Sequence, residues 1–247
     1  MISFRHVSKA FGAKQVLLDV SFDIAPGQVF FIIGASGVGK SVLIKQLIGL
    51  LRPDSGEIWL DGEEVSQLSE QGFYPVRRKC AMVFQHSTLF DSMTCAENVA
   101  LPLRKHRGLG EEAALDEARR LLDEVQMRKY GERLPSELGD GMRKRVAIAR
   151  ALTLEPRYVL FDEPTTGLDP VSARRVDQLI RELCERRGVT SLVVSHDLTS
   201  IFTVADRIVM LYKGRVRLIG TATDFRQSED GVVQQFVQGR AEGPMEF

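Results

Sequence analysis

Gly34-Ala35-Ser36-Gly37-Val38-Gly39-Lys40-Ser41 satisfies the pattern G-x-x-x-x-G-K-[ST] at every specified position. The apolar run Val29-Phe30-Phe31-Ile32-Ile33 precedes it and is short enough for a buried strand, while Val42-Leu43-Ile44-Lys45-Gln46-Leu47-Ile48 follows with apolar residues at helical spacing. Strand, loop and helix in that order are the context a phosphate-binding loop requires. The glycines let the main chain turn tightly and bring its N–H groups against phosphate oxygens, and the free amides that open a helix add partial positive charge. On this reading Gly34 through Val42 cradle the phosphates of a nucleotide, Lys40 reaches the β- and γ-phosphates, and the Ser41 hydroxyl ligates magnesium. A glycine-rich turn with a solvated lysine would leave the flanking strand and helix without a purpose.

Working outward, Ile2 to Val7 and Val16 to Ile24 read as half-exposed strands joined by a turn at Phe11-Gly12-Ala13-Lys14, with Val20, Phe22 and Ile24 on one face. Pro26-Gly27 ends them and leads into the continuous apolar strand before the phosphate loop, a pattern that suits a sheet covered on both sides. Glu57-Ile58-Trp59-Leu60 is another edge-like strand, followed by a hairpin signal at Asp61-Gly62. Arg77 through Gln85 reads as a basic lead into a buried strand, Cys80-Ala81-Met82-Val83-Phe84. From about Asp91 to Leu154 helical spacing takes over, at Leu115, Ala118, Leu121, Leu122 and Val125 and again at Val146, Ala149 and Leu152. Pro102, Gly108, Gly110 and Pro135 are expected to interrupt these helices. Strand and helix then alternate through Tyr158-Val159-Leu160-Phe161, a helix stopping at Gly188, a strand at Thr190 to Val194, a short helix near Leu198 to Ala205 and a hairpin at Lys213-Gly214, which argues for a mainly parallel sheet. Residues after about Gln227 give no readable pattern and are expected to form a tail, mobile unless docked.

The apolar strand ending in Asp162-Glu163 supplies what the loop lacks. A strand-end aspartate holds magnesium directly or through water in phosphate-loop NTPases, which gives Asp162 its role. Glu163, on the other side of the strand, is placed to act as general base toward an attacking water. Two adjacent carboxylates by themselves would read as a solvated loop. Behind an apolar strand, in a chain with a phosphate loop, the functional reading takes over.

Composition narrows the remaining classes. The chain of 247 residues is long enough to bury a substantial core, and 33 basic residues balance 33 acidic ones. That neutrality gives no electrostatic footprint for nucleic acid. Three widely spaced cysteines, Cys80, Cys95 and Cys184, without any C-x-x-C, indicate neither a disulfide framework nor a zinc site, as expected in a reducing cytoplasm. The beginning Met1-Ile2-Ser3-Phe4-Arg5-His6 lacks the apolar stretch of a signal peptide, and no apolar run approaches the ~18 residues of a membrane span. A role at a membrane is therefore expected to come through a partner.

Together these residues resemble the ATP-binding cassette ATPases over nearly the whole chain. Gln85 matches the glutamine that links magnesium to the transporter interface, Gly167-Leu168-Asp169 matches the D-loop, His196 after Leu192-Val193-Val194-Ser195 matches the switch histidine at the γ-phosphate, and Phe11 stands at the place of the aromatic that stacks on adenine. The resemblance implies an α/β fold, a P-loop NTPase (RecA-like) core with an antiparallel β subdomain and an inserted α-helical subdomain. The expected division is 1–90 and 155–226 for the core, 91–154 for the helical subdomain and 227–247 for the tail. Catalysis would fall to Glu163, His196 and Lys40, with Ser41, Gln85 and Asp162 around Mg2+, and ATP would be the nucleotide.

The family's signature, Leu-Ser-Gly-Gly-Gln, reaches across a dimer to the partner's nucleotide. This chain has Leu138-Gly139-Asp140-Gly141-Met142 followed by Arg143-Lys144-Arg145. Gly139 lacks the hydroxyl that donates to the γ-phosphate, and Asp140 puts an acid where the family has glycine. At about 5 Å from a phosphate charge and an effective dielectric near 20, the repulsion is roughly 3 kcal/mol per unit charge. The expectation is a weaker ATP-driven closure of two copies paired head to tail, with Gly139, Asp140 and Gly141 facing the partner's ATP.

Leu89-Phe90-Asp91-Ser92-Met93-Thr94, Glu97-Asn98-Val99-Ala100-Leu101-Pro102-Leu103-Arg104 and Met142-Arg143-Lys144-Arg145 look like the ATPases of Mce-type lipid transporters, the Mla phospholipid system among them. That likeness implies an integral-membrane permease, an MCE-domain protein and further subunits as partners, no nucleic acid, and a peripheral position on the cytoplasmic face of the inner membrane. Amino-acid or lipoprotein systems and a soluble iron–sulfur assembly ATPase are the alternatives.

Overall fold

The computed structural model describes residues 1–245. Strand β1 (Ile2–Phe11) turns at Gly12 into β2 (Lys14–Ile24), and Pro26-Gly27 leads to β3 (Val29–Ile33), whose five residues are all buried. The phosphate loop follows and opens α1 (Lys40–Leu47). β4 (Ser55–Leu60) and β5 (Glu63–Glu64) form the expected hairpin, with φ of 53° at Asp61 and 86° at Gly62. Positive φ at both central residues is the mirror-image turn whose twist suits adjacent strands.

Arg77, Arg78 and Lys79 depart from the sequence reading. They end helix α2 (Phe73–Lys79), and strand β6 (Cys80–Val83) begins only at Cys80. Phe73 and Val76 are buried on one side of this helix, and their three-residue spacing was the missed signal. Helix α3 (Cys95–Arg107) starts with a capping box between Thr94 and Glu97 and ends at Gly108 with φ 66°. Pro102 does not interrupt it. Proline there removes one helical hydrogen bond, but Val99, Ala100 and Leu103 around it are buried in the core, and that packing carries the helix through. Helices α4 (Glu111–Glu124) and α5 (Asp140–Leu152) complete this helical stretch and pack on α3 and on each other.

Strand β7 (Tyr158–Asp162) leads to α6 (Pro170–Arg187), which Asp169 caps by accepting from the Val171 and Ser172 amides at 3.0 Å and which Gly188 stops. Then come β8 (Thr190–Val194), α7 (Leu198–Val204), the hairpin of β9 (Arg207–Tyr212) and β10 (Arg215–Gly220), and α8 (Ala222–Arg226). The segment after Gln227 docks on the fold, the condition under which the expected tail is held in place. Asp230 caps α9 (Gly231–Gln238), Val232 and Val233 are buried, and Met245 is buried with its amide on Gln235 Oε1 at 2.6 Å. These buried apolar residues dock a segment too polar on average to read. Glu246 and Phe247 lie outside the described residues.

The strands form two sheets, an antiparallel one ordered β2-β1-β4-β5 and a larger one ordered β10-β9-β3-β8-β7-β6, in which only β10 runs antiparallel to its neighbour. Alternation along the strands divides the core in two. Val29, Phe31, Ile33, Val159, Phe161 and Val193 face the side of α3 to α6, and Phe30, Ile32, Leu160, Leu192 and Val194 face the antiparallel sheet and α1. A sheet covered on both faces explains why β3, β7 and β8 are continuously apolar. It also brings the carboxyl ends of β3, β7, β8 and β6 to one edge, where Gly34, Asp162, Ser195 and Gln85 emerge. Among the described residues no helix is long and apolar enough to cross a membrane, and Cys80, Cys95 and Cys184 are buried thiols outside any disulfide.

Candidate functional site

The phosphate loop is held in shape from both sides. Gly34 has φ 141°, and a Cβ there would lie 2.3 Å from the Leu211 carbonyl oxygen. Gly39, at φ 104°, would meet Leu17 Cδ2 at 2.6 Å. Neither position accepts a side chain, so these glycines are required by neighbouring strands as well as by the turn. Lys40 is buried and folds back over the loop, donating to the carbonyls of Gly34 at 2.8 Å and Ala35 at 2.9 Å. Burial lowers its pKa from the ordinary lysine value, against the raising influence of Glu163 and Asp162.

Beside it, the Ser41 hydroxyl donates to Asp162 Oδ1 at 2.5 Å, and Lys45 Nζ lies 4.0 Å from Asp162 Oδ2. A hydroxyl and one carboxylate are hard oxygen donors, which fits Mg2+. Among the described residues there is no group of three or more His, Cys, Asp and Glu side chains suited to a metal ion.

Glu163 follows Asp162 with φ 52°, in the left-handed region of the backbone. Its Oε2 accepts from the Thr166 hydroxyl at 2.7 Å and lies 2.7 Å from His196 Nδ1. Non-glycine residues at positive φ are costly and cluster where function holds them. His196 reaches this carboxylate because β8 lies between β3 and β7, so Ser195 and His196 leave the sheet next to Glu163.

Gln85 is exposed just beyond β6, and its main chain is fixed by a residue the sequence reading did not single out. Lys144, 2% exposed, donates to the Phe84 carbonyl at 2.9 Å and the Gln85 carbonyl at 2.6 Å, and burial lowers its pKa to about 8. It had been legible only as one of several cations on a helix. Thr166 was also missed, its signal being no more than a hydroxyl three residues after an acid. Phe11 ends β1 with 46% of its surface exposed, unusual for a large aromatic, with Lys9 Nζ 5.4 Å from its ring centre.

The structure therefore brings together Lys40, Ser41, Asp162, Glu163 and His196 within one chain. Gly139, Asp140 and Gly141 are not bonded to that cluster. They open α5, with Gly139 at its cap position and no side-chain cap. A Cβ on Gly141 would come 2.7 Å from Ser172 Cβ, so the signature loop rests directly on the start of α6. Asp140 forms an ion pair with Arg143, and both line a cavity of about 390 Å³ together with Gln85, Lys144 and Thr166 to Leu168.

Comparison with known proteins agrees with this geometry. Residues 17–166 match the family described as ABC transporter. The intermembrane phospholipid transport system ATP-binding protein MlaF of Escherichia coli K12 is 36% identical over 247 residues, all of this chain and 92% of that protein. The probable ribonucleotide transport ATP-binding protein mkl of Mycobacterium leprae is 38% identical over 244 residues, 99% of this chain and 70% of its own length. Among solved structures, a dimeric ATP-binding cassette in a post-hydrolysis state with ADP and Pi superposes with a TM-score of 0.81 at 32% identity, covering 90% of this chain and 99% of the other.

Proposed function

The chain belongs to the ABC transporter ATP-binding family, and from that premise we propose that it powers the movement of phospholipid between two membranes, through a permease it docks beneath. As a cassette of that family it is an ATPase. Residues 1–90 and 155–226 are taken as its core and 91–154 as its helical subdomain. The observation that carries the catalytic reading is the convergence of Ser41 on Asp162 at 2.5 Å with His196 on Glu163 at 2.7 Å, beside the buried Lys40.

In this reading Lys40 leaves the Gly34 and Ala35 carbonyls to neutralise the β- and γ-phosphates, and the loop amides hold their oxygens. Ser41, Asp162 and Gln85 would hold Mg2+, which when bound would supply positive charge to offset that developing on the phosphates. Glu163 takes the proton of the attacking water, while His196 orients that carboxylate and contacts the γ-phosphate. Phe11 stacks on adenine. Phosphoryl transfer asks mainly for position and charge neutralisation, which this set supplies. Gly139, Asp140 and Gly141 face the ATP of a second copy, so that two nucleotides lie between two chains related by a two-fold axis. ATP favours the closed pair and hydrolysis releases it.

The phospholipid assignment draws on MlaF, matched over nearly its full length, and brings with it a permease, an MCE-domain protein and a peripheral position on the cytoplasmic face of the inner membrane. The ribonucleotide cargo in the name of the mycobacterial relative is the second reading, set lower because this chain spans 70% of that protein against 92% of MlaF. Phosphate release by wild type against Glu163→Gln tests the ATPase. Purification from membranes in detergent tests the rest: a multi-span protein is expected to accompany the chain, with ATP-dependent transfer of labelled phospholipid between vesicles. A stable, detergent-free partner without membrane segments would overturn the transport reading.

A further inference from the structure

The start of α5 holds an arginine that the site described above does not use. Arg143 lies one turn along from Asp140, donates from Nη1 to the Leu138 carbonyl at 2.7 Å and pairs through Nη2 with the Asp140 carboxylate. A guanidinium has five N–H donors in a rigid fork, and among the described residues these two contacts leave donors over, with 34% of the side chain exposed. Nothing lies within 4 Å of where a Cβ on Gly139 would stand, so the place of the absent hydroxyl is open space, and Arg143 is bonded to the residues on either side of it, Leu138 and Asp140.

The charges add to the point. Asp140 alone would repel a phosphate, but Asp140 with Arg143 is a neutral pair whose members are 69% and 34% exposed. Exposed pairs of this kind are weakly held in water. A terminal phosphate carries more charge than a carboxylate and matches the guanidinium fork through two parallel hydrogen bonds, so it is the better partner. An arginine parked on an acid beside an open loop position is able to exchange that acid for a phosphate.

We propose that Arg143 binds the terminal phosphate of the ATP held by a second copy of this chain, replacing the donor that Gly139 lacks, and that Asp140 holds it until that phosphate arrives. This rests on the paired reading above and adds to it the group that closes the pair. The loss at Gly139 is thereby offset by Arg143, and the remaining cost of closure is that of separating Arg143 from Asp140.

The test uses the full chain with Glu163→Gln as parent, in Mg-ATP, with pairing followed by sedimentation over a dilution series and radiolabelled ATP binding measured where the chains are unpaired. Arg143→Ala and Arg143→Met are each expected to weaken pairing at least about tenfold while dilute chains still hold ATP as the parent does, and Arg143→Lys is expected to keep part of the effect. Asp140→Asn is expected to strengthen pairing several-fold when Arg143 is present and to give no such gain with Arg143→Ala. Pairing that ignores both Arg143 substitutions overturns the inference. So does an equal loss of ATP by the unpaired chain, which would make the effect local, or a gain from Asp140→Asn that survives Arg143→Ala, which would make Asp140 a simple repeller. Absence of ATP-dependent pairing in the parent itself overturns the paired reading, and this inference with it.

Discussion

The two ends of this chain's nucleotide machinery are built on opposite terms. At the phosphate end, Lys40, Ser41, Asp162 and Glu163 stand where strands of a doubly covered sheet run out, and each is bonded to another part of the fold. At the signature end, Asp140 and Arg143 bond mainly to each other at the open start of a helix, with 69% of the Asp140 side chain exposed. A loop gripped between Leu17 and Leu211 cannot change without disturbing the core, whereas a helix start facing outward is constrained by what it meets.

Removing the ammonium at the phosphate end is the harshest way to break that contrast. Lys40→Ala is expected to lower ATP hydrolysis about 10²- to 10³-fold, the scale for losing one preorganised charge at a transferring phosphoryl group. Phosphate release at saturating Mg-ATP measures it, and a variant that retains and turns over ATP normally would deprive this end of its assigned role. Glu163→Gln follows, with an expected loss of about 10²-fold in turnover and little in ATP retention, since the amide keeps the shape but not the proton affinity. Turnover unchanged by that substitution would mean that Glu163 serves as a brace for His196 and Thr166 rather than as a base.

A pH series sharpens the same contrast at the back of the phosphate end. Asp177 on α6 is buried, and burial raises its pKa to about 6, outweighing the Ser200 hydroxyl at 2.9 Å and the Arg174 guanidinium at 2.8 Å. That arginine nitrogen makes no aligned hydrogen bond to it, and the single Ser200 proton is shared with Asp197, the residue after His196. A carboxyl that binds its proton more tightly when folded stabilises the fold below its unfolded pKa and loses that contribution as pH rises through its folded one. Wild type is therefore expected to lose on the order of 2 kcal/mol relative to Asp177→Asn between pH 4 and pH 7. Denaturant midpoints at the two pH values measure it, and parallel behaviour of the two proteins would remove Asp177 as the titrating group.

How much of this was legible follows from the same contrast. Continuous apolar strands ending in Gly34, Asp162 and Ser195 reveal both the sheet and its active edge, because burial on two faces leaves one permitted composition. The helix at Phe73–Lys79 was obscured by its run of three cations, although Phe73 and Val76 carried the period. Pro102 read as a break because its own chemistry says so, and only the packing of Val99 and Leu103 overrules it. The docking of Val232, Val233 and Met245 depends on surfaces distant in sequence, which local pattern does not encode. Lys144 and Arg143 were visible as charges, but which carbonyl or carboxylate each would meet is a property of the fold alone.

The smallest effect tests whether the signature end is as free as it looks. Gly141 sits in the first turn of α5, where a Cβ would come 2.7 Å from Ser172 Cβ and 2.9 Å from Ser172 Oγ. A serine Cβ cannot swing aside as the tip of a long side chain would, so Gly141→Ala must push α5 from α6. Overpacking of this kind costs about 1 kcal/mol or somewhat more, against a helix-propensity gain of up to about 1 kcal/mol for replacing glycine by alanine. The net loss of stability is expected to be slight, but the shift in geometry is carried to Asp169 in the D-loop, whose carboxylate accepts from the Ser172 amide. Gly141→Ala is thus expected to lower ATP-dependent pairing more than it lowers the denaturant midpoint, and Ser172→Gly in the same chain is expected to restore pairing. If the double variant pairs no better than Gly141→Ala, the contact with α6 is not what positions the loop, and the signature end is anchored elsewhere.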